Sequence, residues 1–126
     1  MTPRQPSPAM SEVETQTLFR SRARMICPAV LLIAIPNAGK RTRWAAGQAK
    51  REGMTAGAPD LIALWPNGGV AFIEMKSAKG RLQPNQVEML ERLGGYGHSA
   101  FVARTADEAL DFLRACGAPF IGRIAA

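Results

Sequence analysis

The chain has 126 residues, of which 47% are hydrophobic, and its 16 Lys and Arg against 10 Asp and Glu give a formal charge of +6. A chain of this length is expected to form one domain, and its apolar content is enough to fill an ordinary core. No apolar run approaches the roughly 18–20 residues of a membrane span, so we expect no membrane-spanning segment and no membrane partner.

The N-terminal residues and the cysteines bear on processing and location. Residues 1–10 contain three prolines and no apolar stretch. We therefore expect a disordered lead-in there, not a signal peptide, followed by a single domain over residues 11–126. Cys27 and Cys116 lack the spacing of a metal site, so we expect two reduced thiols in a cytoplasmic protein.

Basic residues are concentrated in one part of the chain. Residues 15–51 contain eight Lys or Arg and no acidic residue. Twelve of the 16 basic residues of the whole chain are Arg, whose planar guanidinium suits bidentate contacts with phosphate. Such a segment indicates a nucleic-acid partner, and the alternative is an ordinary solvated basic face.

The predicted elements run in the order αβ(α)ββαβα, which is typical of an α/β domain with a small mixed sheet. A first helix is expected from an N-cap at Ser11 to about Met25, followed by an apolar strand over residues 29–35. Residues 37–41 are predicted to form a turn. This turn opens a basic, Ala-rich stretch over residues 42–51 that is compatible with a helix.

Two short strands are predicted over residues 60–65 and 70–76, around a Pro-Asn-Gly-Gly segment. Both of their faces are largely apolar, which favours a place in the middle of a sheet that is covered on both sides. The chain then continues with three predicted elements: a helix over residues 84–93, a strand over 99–104 and a helix over 105–115.

The length of the hairpin loop decides which residues of the two strands face each other. A four-residue loop would place Asp60 opposite Met75, whereas a three-residue loop over residues 67–69 would place Asp60 opposite Lys76. We favour the three-residue loop because its two glycines tolerate a left-handed backbone. In that register Asp60, Glu74 and Lys76 project from one face of the sheet.

Two carboxylates on one face repel each other unless a cation lies between them. Mg²⁺ prefers oxygen ligands and can activate a bound water, and a nearby ammonium can orient that water or stabilise charge on a phosphate. Asp60, Glu74 and Lys76 therefore fit metal-assisted phosphodiester hydrolysis. The spacing fits equally well a cross-strand salt bridge of Lys76 with one carboxylate, the other being capped by backbone N–H groups.

A series of sequence motifs, taken in order and spacing, resembles one known family. The motifs are PNAGKR at 36–41, GMTAGAPDL at 53–61, FIEMK at 72–76 and KGRLQPNQ at 79–86, with SEVETQTLF at 11–19 and GYGHSAFVAR at 95–104. They resemble the VRR-NUC family, the virus-type replication-repair nucleases of the PD-(D/E)xK superfamily. The resemblance covers about residues 11–115 and implies a restriction-endonuclease-like α/β core, with a small central mixed β-sheet flanked by helices.

The resemblance also implies a DNA nuclease that requires Mg²⁺ or Mn²⁺. Asp60 and Glu74 would ligate the metal ion, with the backbone carbonyl of Met75 as a third ligand. Lys76 would be the catalytic lysine.

A glutamate on the first helix would complete the acidic cluster of this family. Counting back from Leu18 and Phe19 favours Glu14, and Glu12 is the alternative. Gln86 matches the family's glutamine at the start of the helix that follows the active strand. We therefore expect Gln86 among the catalytic residues, near the site or the DNA backbone.

The basic segment contains the family's Asn-x-Gly turn, which is expected to approach DNA. One departure from the family is Gln83, where a Ser or Thr that caps the next helix is common; this difference concerns the start of the helix and not the chemistry. The residues expected to contact DNA are Asn37, Gly39, Lys40, Arg41 and Arg43.

The expected function is thus metal-dependent hydrolysis of DNA. A more specific expectation is structure-selective cutting, as by a four-way-junction resolvase, and symmetric cutting of a junction requires two active sites and hence a homodimer. The alternative is a non-catalytic DNA-binding module that retains the nuclease fold, although Asp60, Glu74 and Lys76 are all present. An RNA-directed nuclease is a third hypothesis, which the low aromatic content of 6% disfavours.

Overall fold

A computed structural model describes residues 9–36, 47–48, 51 and 53–122 of the chain. The turn predicted at 37–41 and most of the helix predicted at 42–51 lie outside these residues. The elements, numbered in chain order, are α1 (Glu12–Ile26), β1 (Leu31–Ala34), β2 (Leu61–Trp65), β3 (Gly69–Met75), α2 (Pro84–Gly95), β4 (Ser99–Ala103) and α3 (Ala106–Ala115).

Two of the helices begin at the side-chain caps that the sequence predicts. The Ser11 hydroxyl accepts a 3.1 Å hydrogen bond from the backbone N–H of Glu14, and the Thr105 hydroxyl accepts a 3.0 Å bond from that of Glu108. Each bond satisfies a backbone donor that the first turn of a helix leaves without an intrahelical partner. The observed starts of α1 and α3 therefore follow from local sequence.

The four strands form one mixed sheet in the order β1-β2-β3-β4. β1, β2 and β3 are antiparallel neighbours, whereas β4 runs parallel to β3. A parallel pair needs a crossover connection, and α2 supplies it. The sheet is flanked by the three helices of the described part of the chain, which confirms the predicted α/β class and the central position of β2 and β3.

The hydrophobic core lies on one face of the sheet, where buried side chains of α1 and α3 form one cluster with those of the central strands. On the opposite face, the described residues cover the sheet only in part. The sequence predicted a sheet covered on both sides, and this is observed for one side only. The fully buried strand residues are Leu61, Ala63, Ala71, Ile73 and Met75. The half-buried or exposed ones of the opposite face are Ile62, Leu64, Val70 and Phe72.

The hairpin between β2 and β3 differs from the predicted register by two residues. Trp65 faces Gly69, so the loop has three residues, and continuing the ladder places Asp60 opposite Glu74 instead of Lys76. Gly69 belongs to β3 and not to the loop. It can face Trp65 because it has no side chain, whereas a Cβ at this position would overlap the Trp65 indole. A shift by two residues keeps every side chain on its face, so Asp60, Glu74 and Lys76 still share one.

The loop itself is the Pro66-Asn67-Gly68 segment. Its last two residues carry the left-handed backbone, with φ of +69° at Asn67 and +81° at Gly68. Asn and Gly are the two residues that adopt this conformation at the lowest cost. Within the described part of the chain, no helix combines the length and hydropathy needed to cross a membrane.

Candidate active site

The candidate site lies at the end of the central strands that is away from the hairpin loop. Asp60 directly precedes β2, Glu74 is near the end of β3 and Lys76 directly follows it. Backbone hydrogen bonds to both outer strands hold this end of the sheet. The N–H of Ile35 donates to the Asp60 carbonyl (2.8 Å), and the N–H of Lys76 donates to the Ala103 carbonyl (2.9 Å).

Three carboxylates meet at this point. Glu12, Asp60 and Glu74 each offer one oxygen, and these oxygens all lie within 4.8 Å of one another. Asp60 is 7% and Glu74 1% exposed, whereas Glu12 is half-buried. Burying carboxylates so close together is costly unless opposite charge or hydrogen bonds compensate it.

The glutamate of α1 whose carboxylate lies near those of Asp60 and Glu74 is Glu12, the alternative in the sequence analysis, and not the favoured Glu14. The two residues are separated by about 200° around the helix axis, so only one can face the sheet. Glu12 stands three and seven residues before the buried Thr15 and Phe19, on the face that packs on the core, whereas Glu14 is exposed. The spacing to Thr15 and Phe19 is the signal that identifies Glu12.

Asp60 is held by the strand opposite to it. The backbone N–H of Met75 donates a buried 2.8 Å hydrogen bond to Oδ2 of Asp60. This bond satisfies one carboxylate oxygen and fixes its orientation, and the Met75 side chain is itself fully buried in the core. The role of the Met75 carbonyl oxygen as a metal ligand stays a prediction.

Glu74 is held by the first turn of α2. The Gln86 side chain donates from Nε2 to Oε1 of Glu74 (3.1 Å) and accepts at Oε1 from the backbone N–H of Gln83 (2.8 Å). Gln86 is 4% exposed and lies in the site, where the sequence expected it. The hydrogen bond from the Gln83 N–H to the Gln86 side chain closes the first turn of the helix. The helix begins at Pro84, as predicted, and Gln83 is its N-cap.

The lysine lies beside the same carboxylate. Nζ of Lys76 is 4.0 Å from Oε1 of Glu74, and only 8% of the Lys76 side chain is exposed. At this distance the charges attract without forming a short hydrogen bond. The three carboxylates offer hard oxygen donors, and their formal charges exceed that of the ammonium by two. The donor set therefore fits a divalent cation such as Mg²⁺ or Mn²⁺.

The residues predicted to contact DNA belong to the basic segment of residues 15–51. Asn37, Gly39, Lys40, Arg41 and Arg43 lie outside the described residues. Within the described part, exposed basic side chains follow the site directly along the chain, at Lys79 and Arg81. The sequence analysis did not single these two out, although they fall inside one of the family motifs.

The fold and the site together define a class of protein, an α/β domain with a four-stranded mixed sheet that carries a buried acid–lysine cluster. The family model for the VRR-NUC domain matches residues 22–107, and the chain belongs to this nuclease-type family. The matched range contains Asp60, Glu74, Lys76 and Gln86, whereas Glu12 precedes it.

Two solved structures are similar to this chain over most of its length. One, described as a VRR_NUC domain protein, is 25% identical with a TM-score of 0.67, and the similarity covers 85% of this chain and 88% of the other. The second, described as a VRR_NUC domain, shares the fold with 24% identity, a TM-score of 0.60 and coverage of 85% and 97%. Comparison with curated proteins gave no match.

Proposed function

We propose that this protein is a metal-dependent deoxyribonuclease that hydrolyses phosphodiester bonds. The observation that carries the proposal is the buried acid–lysine cluster, in which oxygens of Glu12, Asp60 and Glu74 approach within 4.8 Å and Lys76 lies 4.0 Å from Glu74. A salt bridge alone needs only one of these carboxylates. Three of them at one point, on a fold of a nuclease-type family, favour a metal site. We assign the activity to one domain over residues 11–126.

Asp60 and Glu74 hold the metal ion in this proposal, with Glu12 and the Met75 carbonyl completing the protein ligands. Mg²⁺ or Mn²⁺ is the proposed ion, because each ligand is an oxygen. A divalent ion bound there would supply a water of lowered pKa and would offset negative charge on the phosphate.

The protein's own groups orient the reaction. Lys76 would orient the attacking water or stabilise the oxygen on which charge develops, and its burial would strengthen this interaction because bulk water is excluded. Gln86 keeps the Glu74 carboxylate in one orientation through its hydrogen bond to Oε1. Positioning of this kind lowers the barrier because less reorganisation is needed when the substrate binds.

The substrate is DNA in this proposal, gripped through its phosphates. Support comes from the eight Lys and Arg of residues 15–51 and from the exposed Lys79 and Arg81 beside the site. The residues proposed to contact DNA in the basic segment are Asn37, Gly39, Lys40, Arg41 and Arg43.

The finer form of the proposal is structure-selective cutting of branched DNA. A four-way junction is the proposed substrate, and a homodimer is the proposed assembly, because symmetric cutting needs two active sites related by a two-fold axis.

The test is cleavage of labelled DNA by the wild-type chain and by Glu74→Gln, with Mg²⁺, with Mn²⁺ and with EDTA. The panel contains linear duplex, single strand, nicked duplex, flap and four-way junction. We expect cutting that EDTA abolishes and that Glu74→Gln reduces by at least about 100-fold. Glu91→Gln removes an exposed carboxylate of α2 and serves as the matched control, with activity unchanged.

The panel separates the alternatives. Paired symmetric nicks confined to the junction support the resolvase form, and cutting of linear duplex with equal efficiency contradicts it. Binding to the panel without cutting under either metal means a non-catalytic DNA-binding module. Absence of binding would show that the basic segment has another role.

A further inference from the structure

Arg104 directly follows β4 and lies beside the lysine of the site. β3 and β4 are parallel with Met75 opposite Ala103, so continuing the ladder by one residue places Arg104 opposite Lys76. The backbone N–H of Lys76 donates to the Ala103 carbonyl (2.9 Å), which holds the two chain segments together at this point. In-register neighbours on parallel strands point to the same face of a sheet.

The Arg104 guanidinium binds the backbone of the turn that follows Lys76. Nη1 donates to the Ser77 carbonyl at 2.8 Å and to the Gly80 carbonyl at 2.6 Å, and the Ala78 carbonyl lies 3.5 Å away. A guanidinium nitrogen of this type carries two hydrogens, so the two short bonds use both of them. Charge-assisted bonds to carbonyls are among the stronger hydrogen bonds in proteins.

The turn that Arg104 binds is itself closed and packed on Lys76. The N–H of Gly80 donates to the Ser77 carbonyl at 3.1 Å, so this carbonyl accepts from both Gly80 and Arg104. A Cβ at Gly80 would stand 2.9 Å from Oγ of Ser77 and 3.6 Å from Cδ of Lys76. The turn therefore forms one wall around the aliphatic part of the Lys76 side chain.

We propose that Arg104 is a positioning residue for Lys76. It fixes the turn over residues 77–80, and the turn confines the lysine so that Nζ stays near the Glu74 carboxylate. Arg104 acts through the turn and is not itself a catalytic residue. The proposal rests on the proposed nuclease function, in which Lys76 has its catalytic role.

Arginine suits this task better than the other polar residues. One nitrogen of its planar, charged guanidinium donates two N–H bonds and so reaches two carbonyls at once. A glutamine at position 104 is shorter and neutral, so it would leave at least one carbonyl without its charged donor. A lysine retains the charge but lacks a rigid plane that fixes its N–H donors, so it should restore part of the effect.

The experiment compares the wild-type chain with Arg104→Gln, Arg104→Lys and a control, Arg92→Gln, which removes an exposed arginine of α2. For each protein, kcat and KM are measured on DNA with Mg²⁺ well below the melting temperature. Amide hydrogen exchange of the peptide covering residues 77–82 is measured without DNA or metal, as a readout of the turn that does not depend on activity.

We expect Arg104→Gln to lower kcat roughly 10- to 100-fold with KM changed less than about twofold, because the loss is one of orientation and not of binding. Exchange in the turn should rise, Arg104→Lys should lie between Gln and wild type in both readouts, and Arg92→Gln should match wild type. Retained kcat in Arg104→Gln overturns the proposal, as does a loss confined to KM. A fall in kcat without faster exchange also overturns it, since Arg104 would then act by another route.

Failure of the nuclease function gives a different pattern. If the wild-type chain cuts no DNA, the proposed function is lost while the exchange measurement still tests the contact of Arg104 with the turn. If exchange is unchanged in Arg104→Gln, that contact does not hold the turn, whatever the activity.

Discussion

The Gln86 side-chain amide donates a 3.1 Å hydrogen bond to the Glu74 carboxylate, and both residues are almost fully buried. The other end of the amide accepts from the Gln83 backbone at the start of α2. One side chain thus joins the start of a helix to a carboxylate on the central strand. The position of this carboxylate depends on α2 being docked, which makes the helix part of the site.

Replacing Gln86 with Leu should weaken metal binding while preserving the side-chain volume approximately. Both amide contacts are lost, so Glu74 is no longer held in one orientation and the first turn of α2 loses a hydrogen bond. We expect the affinity for Mg²⁺ or Mn²⁺ to fall roughly 10- to 100-fold, the range found for partners of metal ligands. Isothermal titration with the metal alone measures this. Glu88→Gln, on the exposed side of the same helix, is the control, and equal affinity in Gln86→Leu would contradict the role.

The two glutamates of the first turn of α1 provide a matched pair. Glu12 lies with Asp60 and Glu74, whereas Glu14 is exposed, so the same Glu→Gln change should impair the site at position 12 and have little effect at position 14. We expect Glu12→Gln to reduce metal affinity and cleavage by about tenfold or more, and Glu14→Gln to leave both within about twofold. Loss of activity in Glu14→Gln alone would return the assignment to that residue.

Alanine substitutions at Gly57 and Gly53 distinguish the cost of a steric clash from the cost of backbone strain. Both have positive φ, at +83° and +92°, so alanine is strained at either position. A Cβ at Gly57 would in addition lie 2.5 Å from the carbonyl oxygen of Asn85, next to Gln86, whereas a Cβ at Gly53 would meet nothing within 4 Å. We expect Gly53→Ala to lower the free energy of unfolding by about 1 kcal/mol, and Gly57→Ala to lower it by about 1–3 kcal/mol more.

Chemical denaturation of both glycine variants measures this difference. Because the clash would displace the start of α2, metal affinity should fall in Gly57→Ala and stay unchanged in Gly53→Ala. Equal destabilisation by the two variants would mean that α2 relaxes away from the clash without cost.

The two thiols should differ in reactivity. Cys27 is fully buried and Cys116 is half-buried, and neither forms a disulfide. Burial raises the pKa of the Cys27 thiol, and the nearby Arg114 guanidinium offsets only part of this effect. Since the thiolate is the reactive form, alkylation of the native chain should modify Cys116 and leave Cys27 intact. Mass spectrometry of the product checks this, with the denatured chain as the control that reacts at both.

The raised pKa of Cys27 also predicts the direction of a stability change with pH. As pH rises through the ordinary range of a thiol, the unfolded chain loses the Cys27 proton while the folded chain keeps it. The free energy of unfolding is therefore at its full value below that range. It falls as pH rises from the ordinary pKa of a thiol to the raised pKa of Cys27. We expect the Cys27→Ala variant to lose less unfolding free energy between about pH 8 and pH 10 than wild type. If the unfolding free energy of the two proteins fell equally with pH, this prediction would be contradicted.

Much of this protein could be read from local sequence. Ser11 and Thr105 mark two helix starts because a cap depends on residues three apart, and Pro84 marks a third because proline suits a first turn. Glu74 and Lys76 share a face because alternation along a strand is local. Asp60 joins them in the predicted register and in one displaced by two residues, which keeps every side chain on its face. These features, with the order of the motifs, are enough to predict the fold class and the centre of the site.

Other features were decided only by contacts between distant parts of the chain. The register depends on Gly69 lying under the Trp65 indole, and the choice of Glu12 over Glu14 depends on which side of α1 packs on the core. The contact of Arg104 with the turn after Lys76 exists because β4 pairs in parallel with β3. Propensity and spacing describe neighbours along the chain, whereas packing and strand pairing set the rotation of a helix and the register of a strand. For that reason the sequence identified the candidate site, and the tertiary structure determined which side chains meet in it and which hold them in place.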